Sequence, residues 1–318
     1  MTTRFIFVGI AFFALTYCSP IAQKDKKKDT TAKSTEPDQI SLKSALAAGD
    51  VVETLSLKDV DFGQIPAEIT KLKNIRAIYL SPKHKLDWDK AISYFAQLPK
   101  LEELEITGAT FKKLPNGILQ LKNLKILWLS ENANLDLEDA FDKLKNLPKL
   151  RELFLQGCSV KLVPENVKEL KTLELLYLDR NELTALPKTI GDLPALTMIS
   201  LMQNKNLNWK STFNQLSQAK KLQVLMLGSN EIEELPNEIG KLTSLEDLWI
   251  ENNKLMSVPD SINRLTKLKN LYLQNNPLNS DIKTALNSLL PTTKVIYTSA
   301  IGGAGQETPI DTMNIQKK

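Results

Sequence analysis

A repeated pattern of leucines constrains this chain more than any other feature of its sequence. From residue 52 the chain follows L-x-x-L-x-L-x-x-N-x-L, with related apolar residues in place of some leucines. Ten copies begin at Val52, Ile75, Leu101, Leu124, Leu150, Leu173, Leu196, Leu222, Leu245 and Leu268. Successive copies start 23 or 26 residues apart. Such regular self-similarity indicates a solenoid, in which each repeat stacks on the one before it.

The L-x-L segment of each copy predicts a short β-strand with one buried face. In Leu225-Met226-Leu227 the two leucines point to one side and Met226 points to the other. Neighbouring copies then place their strands about 4.8 Å apart in one parallel sheet. A single copy cannot bury its leucines alone, so we expect stability to come from contacts between neighbouring copies.

The segments between strands are of two kinds. Shorter copies carry proline, which fixes φ and suits an irregular turn, at Pro66, Pro115, Pro164, Pro187, Pro236 and Pro259. Three longer copies instead have apolar residues at helical spacing, including Phe95, Phe141 and Phe213. Each of these segments follows a candidate N-cap, namely Asp87, Asp136 or Asn208. We therefore expect three short helices on the outer side, with their aromatic side chains buried as core anchors.

The pattern resembles the leucine-rich-repeat family, and the resemblance covers residues 52–278. It implies an α/β repeat solenoid, a horseshoe with a concave parallel β-sheet and a convex side of loops, 3-10 turns and short α-helices. A solenoid needs caps where its core ends. Helical spacing predicts an N-terminal capping helix within residues 41–51 and a C-terminal cap at 279–298, with a last strand near Lys294–Tyr297. A glycine-containing flexible tail is expected at 299–318.

Asparagine recurs just after the strand in six of the ten copies and is expected to be structural. Its carboxamide can donate and accept hydrogen bonds, and so can satisfy the backbone where the chain turns. These residues are Asn132, Asn181, Asn204, Asn230, Asn253 and Asn276. The fifth copy has Cys158 in this place, and we interpret it as a buried, unreactive thiol.

The residue between the two leucines of each strand is expected to face solvent on the concave side. This position is aromatic in six copies of ten, although aromatic residues are 6% of the chain. The candidate partner-binding residues here and at adjacent positions are Tyr79, Glu105, Ile126, Trp128, Phe154, Leu175, Tyr177, Met198, Met202, Met226, Trp249 and Tyr272. A charged rim is expected from Glu103, Glu152, Asp179, Asp247 and Glu251. Aromatic residues and Met are enriched at interface centres, although the same rings can also stabilise a sheet without any partner.

Several kinds of chemistry are disfavoured by composition. The chain has one His and two Cys, too few for a His–Cys zinc site, a disulfide scaffold or a His-based catalytic triad. The net charge of +4 is too balanced for a protein devoted to gripping phosphate backbones. No phosphate-binding loop or hydrolase motif occurs, and His84 lies in a polar turn. We therefore expect no catalytic activity, no cofactor, no metal and no nucleic-acid partner.

The first residues are typical of an export signal. Arg4 precedes an apolar run, residues 5–15, that is too short to span a bilayer. Cys18 follows directly, which resembles a bacterial lipoprotein signal and implies cleavage after residue 17 and lipidation of Cys18. Tyr17 departs from the small residue usual before that cysteine. Residues 18–40 are polar, with a basic run at 24–28, and are expected to form a flexible tether.

Together these features predict an exported, membrane-anchored lipoprotein, in the periplasm or at the cell surface. We expect it to bind a protein partner, for instance a host-surface or matrix component, through the concave face. Two other functions stay open: a periplasmic scaffold that forms homodimers through its aromatic residues, and a polysaccharide-binding surface protein.

Overall fold

The computed structural model describes residues 42–57, 64–81, 86–109 and 112–298. The expected signal, Cys18 and the tether lie outside these residues, as do His84 and the expected tail. Residues 39–299 form one compact unit, and everything described here belongs to it.

A parallel sheet of eleven strands organises the described residues, and its strands follow one another in chain order. The strands are β1 Thr54–Ser56, β2 Ala77–Leu80, β3 Glu103–Ile106, β4 Ile126–Trp128, β5 Glu152–Phe154, β6 Leu175–Tyr177, β7 Met198–Ser200, β8 Val224–Met226, β9 Asp247–Trp249, β10 Asn270–Tyr272 and β11 Lys294–Ile296. The register repeats from pair to pair, so equivalent residues of every repeat lie side by side, as in Phe154 beside Tyr177. The predicted repeat solenoid is confirmed.

The helices lie between strands and at the two ends. They are α1 Leu42–Ala48, α2 Trp88–Phe95, α3 Leu137–Leu144, α4 Trp209–Leu216 and α5 Ser280–Leu289. The predicted N-caps are confirmed: the side chain of Asp87 accepts a hydrogen bond from Lys90 N, and Asn208 accepts one from Ser211 N. The proline-containing repeats instead form 3-10 turns directly after each proline, at Ala67–Lys71, Asn116–Gln120, Glu165–Glu169, Lys188–Asp192, Asn237–Lys241 and Asp260–Arg264.

One continuous apolar core lies between the sheet and these outer segments. The strand leucines point into it, and Phe95, Phe141 and Phe213 from the three longer repeats are completely buried there. Each buried leucine contributes about 1.5–3 kcal/mol, so the core is the main source of stability. The opposite side of the sheet carries no helices in the described part of the chain, and we call it the open face.

Candidate functional site

The open face is built from three residues of each repeat, which we call its first, middle and last positions. In β5 these are Glu152, Phe154 and Gln156, separated by core residues such as Leu153 and Leu155. The period of two along a strand sends them to the side opposite the core. The parallel register then lines up equivalent positions of successive strands in rows that cross the sheet.

The aromatic residues of the middle row pack against one another in two stacks. Trp128 and Phe154 stack with ring centroids 4.7 Å apart, and Phe154 stacks on Tyr177 at 4.2 Å. Tyr79 meets the edge of Trp128 at 6.1 Å. Ser200 and Met226 then interrupt the row before the second stack, in which Trp249 and Tyr272 lie 3.6 Å apart. Both stacks are held by the short spacing between parallel strands.

Side chains of the first row extend the larger stack into a second apolar cluster, separate from the leucine core. Its buried centre is Phe154, Tyr177 and Met198, and its partly buried members are Ile126, Trp128, Leu175, Val224 and Met226. The cluster has no counterpart in the leucine pattern, because it uses only positions that the repeat leaves variable. It lies across five neighbouring strands of the open face.

The expectation that all these side chains face solvent is wrong for five of them. Although they lie away from the leucine core, Glu105, Phe154, Tyr177, Met198 and Tyr272 are each at most 7% exposed. The cause is lateral packing, since each ring covers the faces of its neighbours. Tyr79, Ile126, Trp128, Leu175, Met202, Met226 and Trp249 are only partly buried and reach the surface.

Acidic groups border the larger stack at its N-terminal end. The hydroxyl of Tyr79 donates a hydrogen bond to Glu103 Oε1, and Thr107 donates to Glu105 Oε1 at 2.9 Å. Glu152 lies two strands from Glu103 in the first row, with Ile126 between them. Burial raises the pKa of Glu152 to about 7, and the negative charges of Glu103 and Glu174 add to this effect. The positive charge of Arg151 opposes the shift but does not cancel it.

Two further carboxylates lie in the last row, towards the C-terminal end. Burial raises the pKa of Asp179 to about 6, although Ser200 Oγ and the backbone N of Met202 both donate hydrogen bonds to Asp179 Oδ1. Burial likewise raises the pKa of Glu251 to about 6. Gly228 makes room for this group, because a Cβ there would lie 2.7 Å from Glu251 Oε1 and 2.9 Å from Met202 Cε.

The residues expected to be structural form a ladder below the open face. Asn181 Nδ2 donates to the carbonyl oxygens of Leu155 and Leu178, both at 2.9 Å, and its Oδ1 accepts from Val160 N at 3.0 Å. Asn204, Asn230, Asn253 and Asn276 repeat this arrangement. In the first of these rungs, Asn132 donates to Ile106 and Leu129 at 2.8 and 2.9 Å.

Cys158 takes the place of asparagine in this ladder and is buried. Its thiol donates a hydrogen bond of 3.1 Å to the carbonyl oxygen of Leu129. Burial raises the pKa of the Cys158 thiol to about 11, so the reactive thiolate is disfavoured at neutral pH.

A polar groove along the carboxyl ends of β6–β9 was not predicted from the sequence. It is lined by residues that include Arg180, Gln203, Lys205, Ser229 and Glu231. Arg180 pairs with Glu131 at 2.8 Å, and Glu231 pairs with Lys205 and Lys254. These side chains are therefore engaged with one another. Arg180, Gln203 and Ser229 in this groove have φ of 54°, 55° and 59°, a left-handed conformation that the leucine pattern does not predict.

The fold and its open face define a class: the described residues form a leucine-rich-repeat solenoid. Residues 148–205 and 220–278 match the model of the leucine rich repeat family. No curated protein matches the chain. No cluster of three potential metal ligands occurs among the described residues, and no helix among them is long and apolar enough to cross a membrane.

Three solved structures give particular likenesses. A chain of the Drosophila Toll–Spatzle complex matches over 78% of this chain and 36% of its own length, with 19% identity and a TM-score of 0.61. A chain of the TLR13–ssRNA13 complex matches over 78% and 39%, with 26% identity and a TM-score of 0.61. An internalin from Listeria monocytogenes matches over 78% and 81%, with 19% identity and a TM-score of 0.49. This chain thus spans little more than a third of the first two proteins.

Proposed function

We propose that this chain is a non-enzymatic binding protein that holds a protein partner on its open face. The observation that carries the proposal is the second apolar cluster. The buried centre of this cluster, formed by Phe154, Tyr177 and Met198, is sufficient to stabilise the sheet. The partly exposed rings of Trp128 and Trp249 add apolar surface that water contacts until a partner covers it.

The rigidity of the fold favours this use. Both stacks are formed within the chain, so the rings lose little conformational freedom when a partner binds. Leucine-rich-repeat proteins generally act in protein–protein interaction. The TLR13 structure contains single-stranded RNA, but the carboxylates on the open face of this chain repel a polyanion, which favours a protein partner here.

The test is a double substitution with a matched control. We expect Trp128→Ala with Trp249→Ala to weaken binding at least tenfold, because it removes about 1.4 kcal/mol or more of apolar contact. The lost ring contacts within the sheet cost about 1–3 kcal/mol of stability. The control, Trp88→Ala with Trp209→Ala, also removes two tryptophan side chains, but from helices on the opposite side of the sheet. It is expected to lower stability and to leave binding unchanged.

Ligands for this test are selected from a displayed library of random peptides about 12 residues long, with the full chain as the target. Affinities of the selected peptides are then measured for the wild type and both double variants. Equal affinity for the wild type and for the Trp128/Trp249 variant would show that the open face is not the binding site. A stable dimer in light scattering that the Trp128/Trp249 variant abolishes would favour homodimerisation instead.

We also propose that the chain is exported and anchored through Cys18. The support is its sequence alone: Arg4, the apolar run and the cysteine that follows it. Export would expose the open face to proteins outside the cytoplasm, such as a host-surface or matrix component. Mass spectrometry of the mature N-terminus tests the anchor, and an unmodified Cys18 within an uncleaved chain would contradict it.

A further inference from the structure

The open face has a one-sided distribution of charge. From β2 to β10, its three rows contain six carboxylates: Glu103, Glu105, Glu152, Asp179, Asp247 and Glu251. The same positions contain no Lys and no Arg, although Lys and Arg supply 41 of the chain's 318 residues. Among the described residues from β2 onward, these rows next have a cation at Lys294, on the edge strand β11. A partner that covers this face must therefore supply positive charge or desolvate partly exposed carboxylates such as Glu152 and Asp247.

The nearest cations already have partners at the edge of the sheet. Lys125 pairs with Glu102 at 2.8 Å, and Lys269 pairs with Glu246 at 2.6 Å. Arg151 pairs with Glu174 at 3.6 Å. All of these residues immediately precede the strands, and their charges largely cancel among themselves. Lys269 also interacts with Asp247, and Arg151 and Arg180 offset part of the negative charge of Glu152 and Asp179. None of these cations lies in the three rows of the open face.

The first row gives this charge a definite spacing. The register places Glu152, Leu175, Met198, Val224 and Asp247 next to one another on β5 to β9. Three apolar side chains are therefore flanked by two carboxylates. Four strand spacings separate Glu152 from Asp247, which is about 19 Å along the sheet. An extended peptide covers that distance in about six residues.

Aromatic rings lie beside both carboxylates. The charge of Glu152 contributes to raising the pKa of Tyr177, and that of Asp247 contributes in the same way at Tyr272, so each acid lies close to a ring. Tyr177 and Tyr272 are buried in their stacks, so a cation from a partner reaches the carboxylates and not the faces of these two rings. Each end of this stretch of the first row therefore offers a carboxylate to a cation.

We propose that the open face binds an extended basic segment of its partner protein, with two Lys or Arg residues about six positions apart and apolar residues between them. This inference rests on the proposed function, because it specifies the partner of the same face. The cations lie at Glu152 and Asp247, and the apolar side chains cover Leu175 and Val224, which are partly exposed on either side of the buried Met198. A neutral glycan or an acidic segment leaves the carboxylates without partners and binds less well.

The peptide selection described above tests this inference without assuming a sequence. We expect the selected peptides to be enriched in pairs of basic residues at that spacing. Replacing both basic residues by Gln in such a peptide is expected to weaken binding at least tenfold. Raising NaCl from about 50 to about 500 mM is also expected to weaken binding, because salt screens partly exposed pairs. Enrichment of neutral or acidic peptides would overturn the inference.

Two matched double variants test whether Glu152 and Asp247 are the carboxylates that bind the basic residues of the peptide. Glu152→Gln with Asp247→Asn removes two carboxylates from the open face, and we expect about a tenfold or greater loss of affinity for the basic peptides. Glu68→Gln with Asp260→Asn makes the same change in net charge at exposed sites in two 3-10 turns and is expected to have no effect. Equal affinity of all three proteins would contradict the role of the two acids.

The outcomes separate this inference from the proposed function. Peptides that lose binding to the Trp128/Trp249 variant but bind the Glu152/Asp247 variant normally would support the open face and overturn the basic segment. Peptides that bind both variants as they bind the wild type would overturn both. Dimerisation of the chain through the open face would replace the basic segment with a second copy.

Discussion

At the scale of single residues, the asparagine ladder shows why the same side chain recurs after six of the strands. Asn230 donates from Nδ2 to the carbonyl oxygens of Leu201 and Leu227 at 3.0 and 2.9 Å, and its Oδ1 accepts from Asn204 N. One side chain thus satisfies backbone groups of two neighbouring repeats at a buried turn. A carboxamide suits this position because its NH₂ group supplies two donors and its oxygen supplies an acceptor.

We expect Asn230→Ala to lower the free energy of unfolding by about 3 kcal/mol, because it leaves buried backbone donors and acceptors without partners. Asn206→Ala is the control, since Asn206 is an exposed residue of the same type in the preceding repeat. Its effect is expected to stay below about 0.5 kcal/mol. Urea unfolding of both variants measures the difference, and similar losses would show that the ladder is not what Asn230 contributes.

At the scale of elements, the two repeat lengths pack against each other through close backbone approaches. Gly191 lies in the 3-10 turn Lys188–Asp192, next to the end of α4. A Cβ at this position would lie 2.6 Å from the carbonyl oxygen of Gln215. Gly117 lies in the equivalent turn next to α2, but its nearest neighbour would be Ile92 Cγ2 at 3.0 Å.

We expect Gly191→Ala to lower the free energy of unfolding by about 2 kcal/mol, because a helix backbone cannot move aside without disturbing its own hydrogen bonds. Gly117→Ala meets the side chain of Ile92 at 3.0 Å but no backbone atom closer than 3.8 Å, and the restriction of the unfolded chain offsets part of the cost. The change should therefore stay below about 1 kcal/mol, less than for Gly191→Ala. Thermal unfolding followed by circular dichroism compares them. A greater loss for Gly117→Ala would contradict this account of the packing.

At the scale of the whole molecule, the buried carboxylates of the open face make stability depend on pH. The pKa is raised from 4.5 to about 7 for Glu152, from 3.8 to about 6 for Asp179 and from 4.5 to about 6 for Glu251. Between the ordinary and the raised values, the folded chain keeps protons that the unfolded chain has released. Stability contributed by these groups therefore falls as pH rises through this range.

We expect the melting temperature to be higher near pH 5 than near pH 7.5, because the carboxyl groups are neutral in the folded protein at the lower pH. Glu152→Gln is expected to reduce this dependence, since an amide does not ionise. Glu68→Gln, at an exposed position, is the control and should leave the dependence unchanged. A melting temperature that rises steadily from pH 5 to pH 7.5 in the wild type would contradict the prediction.

The fold was predictable because the leucine spacing is local and repeats ten times. Each copy predicts the same set of buried positions. A departure in one copy, such as Cys158 in place of asparagine, therefore does not obscure the pattern. The helices were predictable for a related reason, since caps such as Asp87 act within one turn. The candidate site was predictable only as a set of positions. Sequence reasoning located the aromatic row but expected Phe154 and Tyr177 to be exposed.

The sequence by itself determined the repeat, the register of the strands and the side of the sheet on which each residue lies, because all three follow from periodicity along the chain. Only the tertiary structure decided which side chains of the open face are covered. Burial there depends on contacts between strands 23 or 26 residues apart, such as Phe154 on Tyr177 and Trp249 on Tyr272. It also decided the pKa of Glu152, which depends on the neighbours that stacking brings around it.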